Sequence, residues 1–137
     1  MFYKMMFGEA RLYSPKPPSG VTIQANSFPN IISMKNLLQN IPDQLPEELF
    51  ETLVKNENIH IERIVSKGHS SPKEGWYDQD QNEWVLVLKG AARLAFEDGS
   101  EVSMRPGDSL EIPAHMKHKV VWTDPEEETV WVSVHYV

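Results

Sequence analysis

The sequence predicts an all-β chain, its short strands closed into a barrel or sandwich behind one amphipathic helix. Three observations predict it. From Ile59 onward, apolar residues recur with a period of two or in short continuous runs. Between the runs stand turn formers, among them Gly68, Pro72, Gly75, Gly90, Asp98-Gly99, Pro106-Gly107 and Pro113. No segment repeats, so the runs belong to a single closed set of strands.

Residues 1–33 differ from the rest. They hold Pro15, Pro17 and Pro18 with several Ser and Asn, and show no sustained periodicity. Met5, Met6 and Phe7 are too short a run for a secretory signal. This segment is expected to be a peripheral or disordered extension, or an upstream extension of a frame that starts at Met34; intact mass separates the two. Residues 34–137 form the expected single domain.

A helix is expected after Asp43. Pro46 suits a first turn, and Glu47 and Glu48 complement a helix amino end. Leu49, Phe50, Leu53 and Val54 then make one stripe, which would cover a barrel flank or a partner chain. Ile59 to Val65 alternates, setting Ile59, Ile61, Arg63 and Val65 opposite His60, Glu62 and Ile64, with His60 expected at the surface. Ser66 to Gly75 is loop, where His69 is expected to bond to backbone. Glu83 to Leu88 is an apolar strand behind one acid, with Glu83, Val85 and Val87 on one face and Trp84, Leu86 and Leu88 on the other. Strands follow at Ala91–Glu97, Glu101–Met104, Ser109–Ile112, Lys117–Thr123 and Thr129–Val137. Trp122 shares strand parity with His118 and Val120, which would let it wall a cavity; core packing accounts for the other tryptophans.

Composition narrows function. A chain of 137 residues with 40% hydrophobic residues is one domain with a real core. The absence of cysteine excludes a disulfide framework, a thiolate metal site and a thiol nucleophile, and fits a cytoplasmic location. A net charge of −7 disfavours nucleic acid, whose phosphates it would repel. No apolar run approaches a membrane span. The expected partners are a small-molecule ligand and a second copy of the chain, paired through outward apolar strand faces.

Two blocks carry candidate chemistry. The first offers Tyr77, Asp78, Gln79 and Glu83; the second offers His115 and His118. Oxygen and imidazole donors from non-adjacent strands are what a hard or borderline divalent metal takes. Glu83 heads an apolar strand, where an unpaired carboxylate is costly to bury; a metal, an arginine or a proton must relieve it. A regular strand would give Tyr77 and Gln79 the parity of Glu83, whereas a bulge would hand that role to Asp78. His135 shares its face with Trp131 and Ser133, and either lines the cavity or is satisfied in the core or at the surface.

At these residues the chain resembles the cupin superfamily. The family's first motif reads His-x-His, three or four residues, Glu, six residues, Gly. Glu83 and Gly90 match it, but Tyr77 and Gln79 (or Trp76 and Asp78) stand at the histidine positions. The second reads Gly, five residues, Pro-x-Gly, two residues, His, three residues, Asn. Gly107, Pro113 and His118 match, while His115 replaces the second Gly and Trp122 the Asn. The resemblance covers roughly the last seventy residues. The phrases GHSSP, WYDQD and IPAHMKH look like those of small bacterial single-domain cupins. The resemblance implies a double-stranded β-helix, or jelly-roll barrel. It further implies a divalent metal (Zn, Fe, Mn or Ni) on Glu83, His118 and an oxygen of Gln79 or Asp78, with Tyr77 or His115 moving protons. Against that enzyme stands a cupin that binds a small polar molecule without metal or catalysis, and a purely structural dimer with a filled barrel.

Overall fold

A computed structural model describes residues 33–137 of the chain. The expectation for residues 1–33 therefore falls, apart from Ser33, outside the described residues. Lys35–Val137 form one compact unit. Strands appear wherever the sequence alternates: β1 Leu49–Lys55, β2 Ile59–Ser66, β3 Asn82–Lys89, β4 Ala92–Phe96, β5 Glu101–Met104, β6 Ser109–Ile112, β7 His118–Thr123 and β8 Thr129–Tyr136. They form an antiparallel sheet of five strands, in the order β1-β2-β8-β3-β6, and a second of three, β5-β4-β7. This is the jelly-roll arrangement expected of the sequence.

The inner faces of the two sheets meet in one core. Val85, Val87, Ile112 and Trp131 come from the larger sheet, and Ala92, Leu94, Phe96 and Met104 from the smaller. Each fully buried aliphatic side chain among them stabilises the fold by about 1.5–3 kcal/mol. Side-chain period in a strand is two, so register alone decides what shares the inner face. Across the larger sheet one inner row runs His60, His135, Glu83, Ile112; the next runs Thr52, Glu62, Ser133, Val85, Leu110. The polar members of both rows gather at one end of an otherwise apolar interior.

The glycine turns behave as their sequence predicts at Gly99 and Gly107, with φ of 88° and 92°. Gly90 has a second constraint. Its φ is 77°, and a Cβ there would stand 2.6 Å from the Glu128 carbonyl oxygen and the Thr129 Cα.

The expected helix after Asp43 is not formed; its apolar stripe is β1, and there is no helix among the described residues. The spacing Leu49, Phe50, Leu53, Val54 also suits a strand with one bulge, and the pairing with β2 shifts register between Thr52 and Val54. The backbone hydrogen bonds to β2 outweigh helix propensity, which is a weak preference. The outer face of β2 explains the rest. Arg63 is only 2% exposed, and it donates to the carbonyls of Leu37 at 3.1 Å and Gln39 at 2.8 Å while pairing with Glu51 at 2.8 Å. The turn before β1 is thereby tied to the outer face of β2.

Two other expectations change and a third stands. His60, Glu62 and Ile64 lie on the inner face of β2, so His60 is not a simple surface residue. Trp122 is opposite Arg93 and 38% exposed, because β4 and β7 slip register between Arg93 and Leu94; the bulge reverses the parity that linked it to His118. His69 does bond to backbone, its Nδ1 accepting from Lys67 N at 2.9 Å. No helix of the described residues is long and apolar enough to cross a membrane.

Candidate functional site

Glu83 enters the interior at the start of β3, and His118 enters it from the opposite sheet at the start of β7. Two backbone hydrogen bonds, Tyr77 N to His118 O at 2.9 Å and His118 N to Tyr77 O at 3.2 Å, zip the segment before β3 onto β7. That isolated bridge sets the regular register, and Tyr77, Gln79 and Glu83 all line the same cavity as His118. The cavity has a volume of about 250 Å³. Phe50, Ile64, Leu94, Val120 and Trp131 supply apolar wall around the polar end.

At that end the Glu83 carboxylate is nearly sequestered, its side chain 12% exposed against 6% for His118. One oxygen accepts from Ser133 Oγ at 2.7 Å; the other accepts from Gln79 Nε2 at 2.9 Å and faces His118 Nε2 at 3.3 Å. His135 Nε2 lies 3.8 Å from the first oxygen and 3.0 Å from Ser133 Oγ. Burial pushes the Glu83 carboxyl up, but the bonds from His118, Ser133 and Gln79 and the charge of His135 outweigh it and hold it at about 2. Burial likewise pushes the His118 imidazole toward neutrality. The Glu83 carboxylate and the Met116 carbonyl overcome this and raise it above its ordinary 6.5. Both shifts favour a carboxylate facing an imidazolium, an arrangement whose worth lies in mutual neutralisation.

The tautomer follows from chemistry. His118 Nδ1 is 2.8 Å from the Met116 carbonyl, which can only accept, so Nδ1 carries hydrogen. Nε2 then faces a carboxylate oxygen, and a bare lone pair there would be repelled. A cation must sit on or between the two atoms: the second imidazolium proton, or a metal ion.

In this arrangement the side chains fit a proton better than a metal. Gln79 uses its amide nitrogen on Glu83, since a carboxylate only accepts, and its carbonyl oxygen is left without a protein donor among the described residues. No group of three or more His, Asp or Glu side chains among the described residues is placed to hold a metal ion. Both motif histidines that the resemblance would require are absent, as Tyr77 and Gln79 replace them.

Asp78 and His115, the other sequence candidates, lie elsewhere. His115 Nδ1 is 2.9 Å from Asp78, with side chains 64% and 46% exposed, and neither lines the cavity. The regular register turns Asp78 to the opposite face from Gln79. His115 has a φ of 63°, the left-handed conformation for which the motif keeps a glycine. Its backbone N–H donates to the Gln79 carbonyl at 2.9 Å, and its ring also meets Asp80 at 3.5 Å. It pins the Tyr77–Asp80 segment from outside.

Two site residues escaped the sequence reading as functional groups. Ser133 is fully buried beneath Glu83; its signal was a hydroxyl within an apolar strand. Glu62 lines the cavity on β2, and its signal was its alternation with Ile64. Its neighbours are the imidazoles of His60 at 3.3 Å and His135 at 3.9 Å, and among the described residues no hydrogen bond is donated to it.

Comparison with known proteins agrees with this fold. A family model described as a cupin domain matches residues 62–135. A crystal structure from Ralstonia eutropha, described as a candidate mannose-6-phosphate isomerase, is 43% identical, with a TM-score of 0.74, over 77% of this chain and 98% of that one. A cupin superfamily protein from Desulfitobacterium hafniense is 18% identical, with a TM-score of 0.60, over 71% of this chain and 84% of that one. A cupin-family protein with a double-stranded β-helix fold from Methanocaldococcus jannaschii is 19% identical, with a TM-score of 0.56, over 70% and 85%. No curated protein matches the chain.

Proposed function

The chain belongs to the cupin domain family, and from that membership we propose that it binds a small polar molecule in the cavity between its sheets, without a resident metal. The observation that carries this reading is the Glu83–His118 pair. The carboxylate already has protein partners on both oxygens, and the imidazolium supplies the positive charge that a metal would otherwise bring. A filled, purely structural barrel would leave no such cavity. Tyr77, Gln79 and Glu62 face the bound molecule, and His118 can lend a proton to it where it presents an acceptor.

The activity described for the Ralstonia relative would place a phosphate ester here. The lining speaks against that ligand: it contains Glu48, Glu62 and Glu83 but no Lys or Arg. At about 6 Å and an effective dielectric of about 20, each uncompensated carboxylate opposes an anionic charge by about 3 kcal/mol.

One observation favours a second reading. His118 is oriented through Nδ1 on a backbone carbonyl, which is how ligating histidines are commonly held. A divalent ion (Zn, Fe, Mn or Ni) would then be held by His118, Glu83 and the amide oxygen of Gln79. Such a metal would polarise a bound carbonyl or activate water. Elemental analysis of untagged protein, made without added metal, tests both. The first reading expects metal well below one equivalent and a chelator-insensitive melting temperature. Stoichiometric metal, lost in both Glu83→Ala and His118→Ala, would establish the second instead.

A further inference from the structure

The hydrogen-bonding groups left over in the cavity are predominantly acceptors. Glu83 is satisfied by Ser133, Gln79 and His118, and Glu48 accepts from Ser66 Oγ at 2.6 Å. The Glu62 carboxylate and the Gln79 carbonyl oxygen receive no hydrogen bond from the described residues, although both side chains line the cavity. Glu62 is 18% exposed at its side chain, too enclosed for water to solvate it fully. The two imidazoles of the lining, His118 and His135, are already directed at Glu83 and Ser133. With three carboxylates, two histidines and no Lys or Arg, the lining is negative overall.

We propose that the cavity selects a small organic cation, a primary ammonium on a compact apolar body, with Glu62 as its recognition carboxylate. This deepens the small-molecule reading above and rests on it. An ammonium brings three donors and no acceptor, the complement of a free amide oxygen and of a carboxylate that has imidazoles at 3.3 and 3.9 Å but receives no hydrogen bond from the described residues. The body packs against Ile64, Leu94, Val120 and Trp131, the apolar portion of the wall. A cavity of about 250 Å³ corresponds to roughly eight water volumes at ~30 Å³ each, which limits the ligand to about ten non-hydrogen atoms. Phe50 and Tyr77, at the lining and 56% and 50% exposed, stand where a cation entering from solvent would pass aromatic rings.

Three probes of one shape separate the possibilities: benzylamine, benzyl alcohol and benzoate, titrated into the full chain and followed by ¹H–¹⁵N amide shifts of the lining residues. The proposal expects benzylamine to bind at least tenfold more tightly than benzyl alcohol, and benzoate not to bind. Glu62→Gln should bring amine and alcohol within about threefold while leaving the alcohol unchanged; Glu62→Asp, which keeps the charge, should keep the preference. Benzoate or alcohol binding as tightly as the amine to the wild-type chain overturns the cation proposal but leaves the small-molecule cavity standing. An amine preference that survives Glu62→Gln overturns the role of Glu62. Absence of shifts in the lining with all three probes overturns both the proposal and the cavity reading beneath it. The wild-type comparison needs no variant, so a failure of Glu62→Gln to fold does not shield the proposal.

Discussion

Replacing Glu83 with Gln removes one charge from the cavity and leaves the shape of the side chain. The carboxyl lies at about 2 in the folded protein against an ordinary value of 4.5. At about 1.4 kcal/mol per pH unit, that gap makes the ionised carboxylate worth about 3 kcal/mol of stability, counted once for the Glu83–His118 pair. Because the folded value is depressed, this contribution is present above pH 4.5 and disappears as pH falls toward 2. His118 works in the opposite direction. Its folded value is raised above 6.5, so its share is complete below pH 6.5 and is lost as pH rises through the folded value. Both shares coexist between pH 4.5 and 6.5, where Glu83→Gln should cost most. A loss of about 3 kcal/mol in a domain of this size lowers the melting temperature by roughly 15 °C. Urea unfolding followed by tryptophan fluorescence, with chelator present, measures it for both proteins from about pH 3 to pH 8. Other acids also titrate on the acid side, so the difference between the two proteins isolates Glu83. Wild type and variant losing stability in parallel from about pH 6 to pH 3 would refute the reasoning.

Gly90→Ala should destabilise by about 3 kcal/mol, because the left-handed φ costs about 1–2 kcal/mol and the added Cβ would meet the Glu128–Thr129 backbone at 2.6 Å; a melting curve within a degree or two of wild type would contradict it. His115→Gly should be neutral to within about 0.5–1 kcal/mol, since relief of the left-handed strain offsets the entropy of an added glycine and the loss of an exposed pair with Asp78. Cavity binding much weaker in that variant would return His115 to the site. The outward face of β3, with Trp84 at 36% exposure beside Leu86 and Leu88, is proposed as part of a homodimer contact. Light scattering at micromolar concentration should give twice the monomer mass, and a monomer removes the contact.

The strands and turns were legible because a period of two needs no tertiary information, and because Asp98-Gly99 and Pro106-Gly107 carry their turn geometry locally. The pocket acids and imidazoles were legible in part: Glu83 stood out as a lone charge on an apolar strand, and the parity of Tyr77 and Gln79 followed from it. What failed depended on register or on distant partners. The stripe at Leu49–Val54 reads equally as helix or bulged strand, and only the pairing with β2 decides. Trp122 lost its place on the inner face to one slipped residue between β4 and β7. His60 looked like a surface residue because nothing local says which face of β2 the second sheet will cover. His115 stood between a site and a rim role in the sequence, and a left-handed backbone directs its ring outward toward Asp78.

The account depends on His118 being an imidazolium held by Glu83. Long-range ¹H–¹⁵N correlation of the histidine ring nitrogens across pH measures this on the intact chain. The expected result is Nδ1 protonated throughout, with Nε2 titrating above pH 6.5 in the wild type and at lower pH in Glu83→Gln, where burial is opposed by the Met116 carbonyl alone. A wild-type Nε2 that is unprotonated at about pH 6, or a midpoint unchanged by Glu83→Gln, would contradict it.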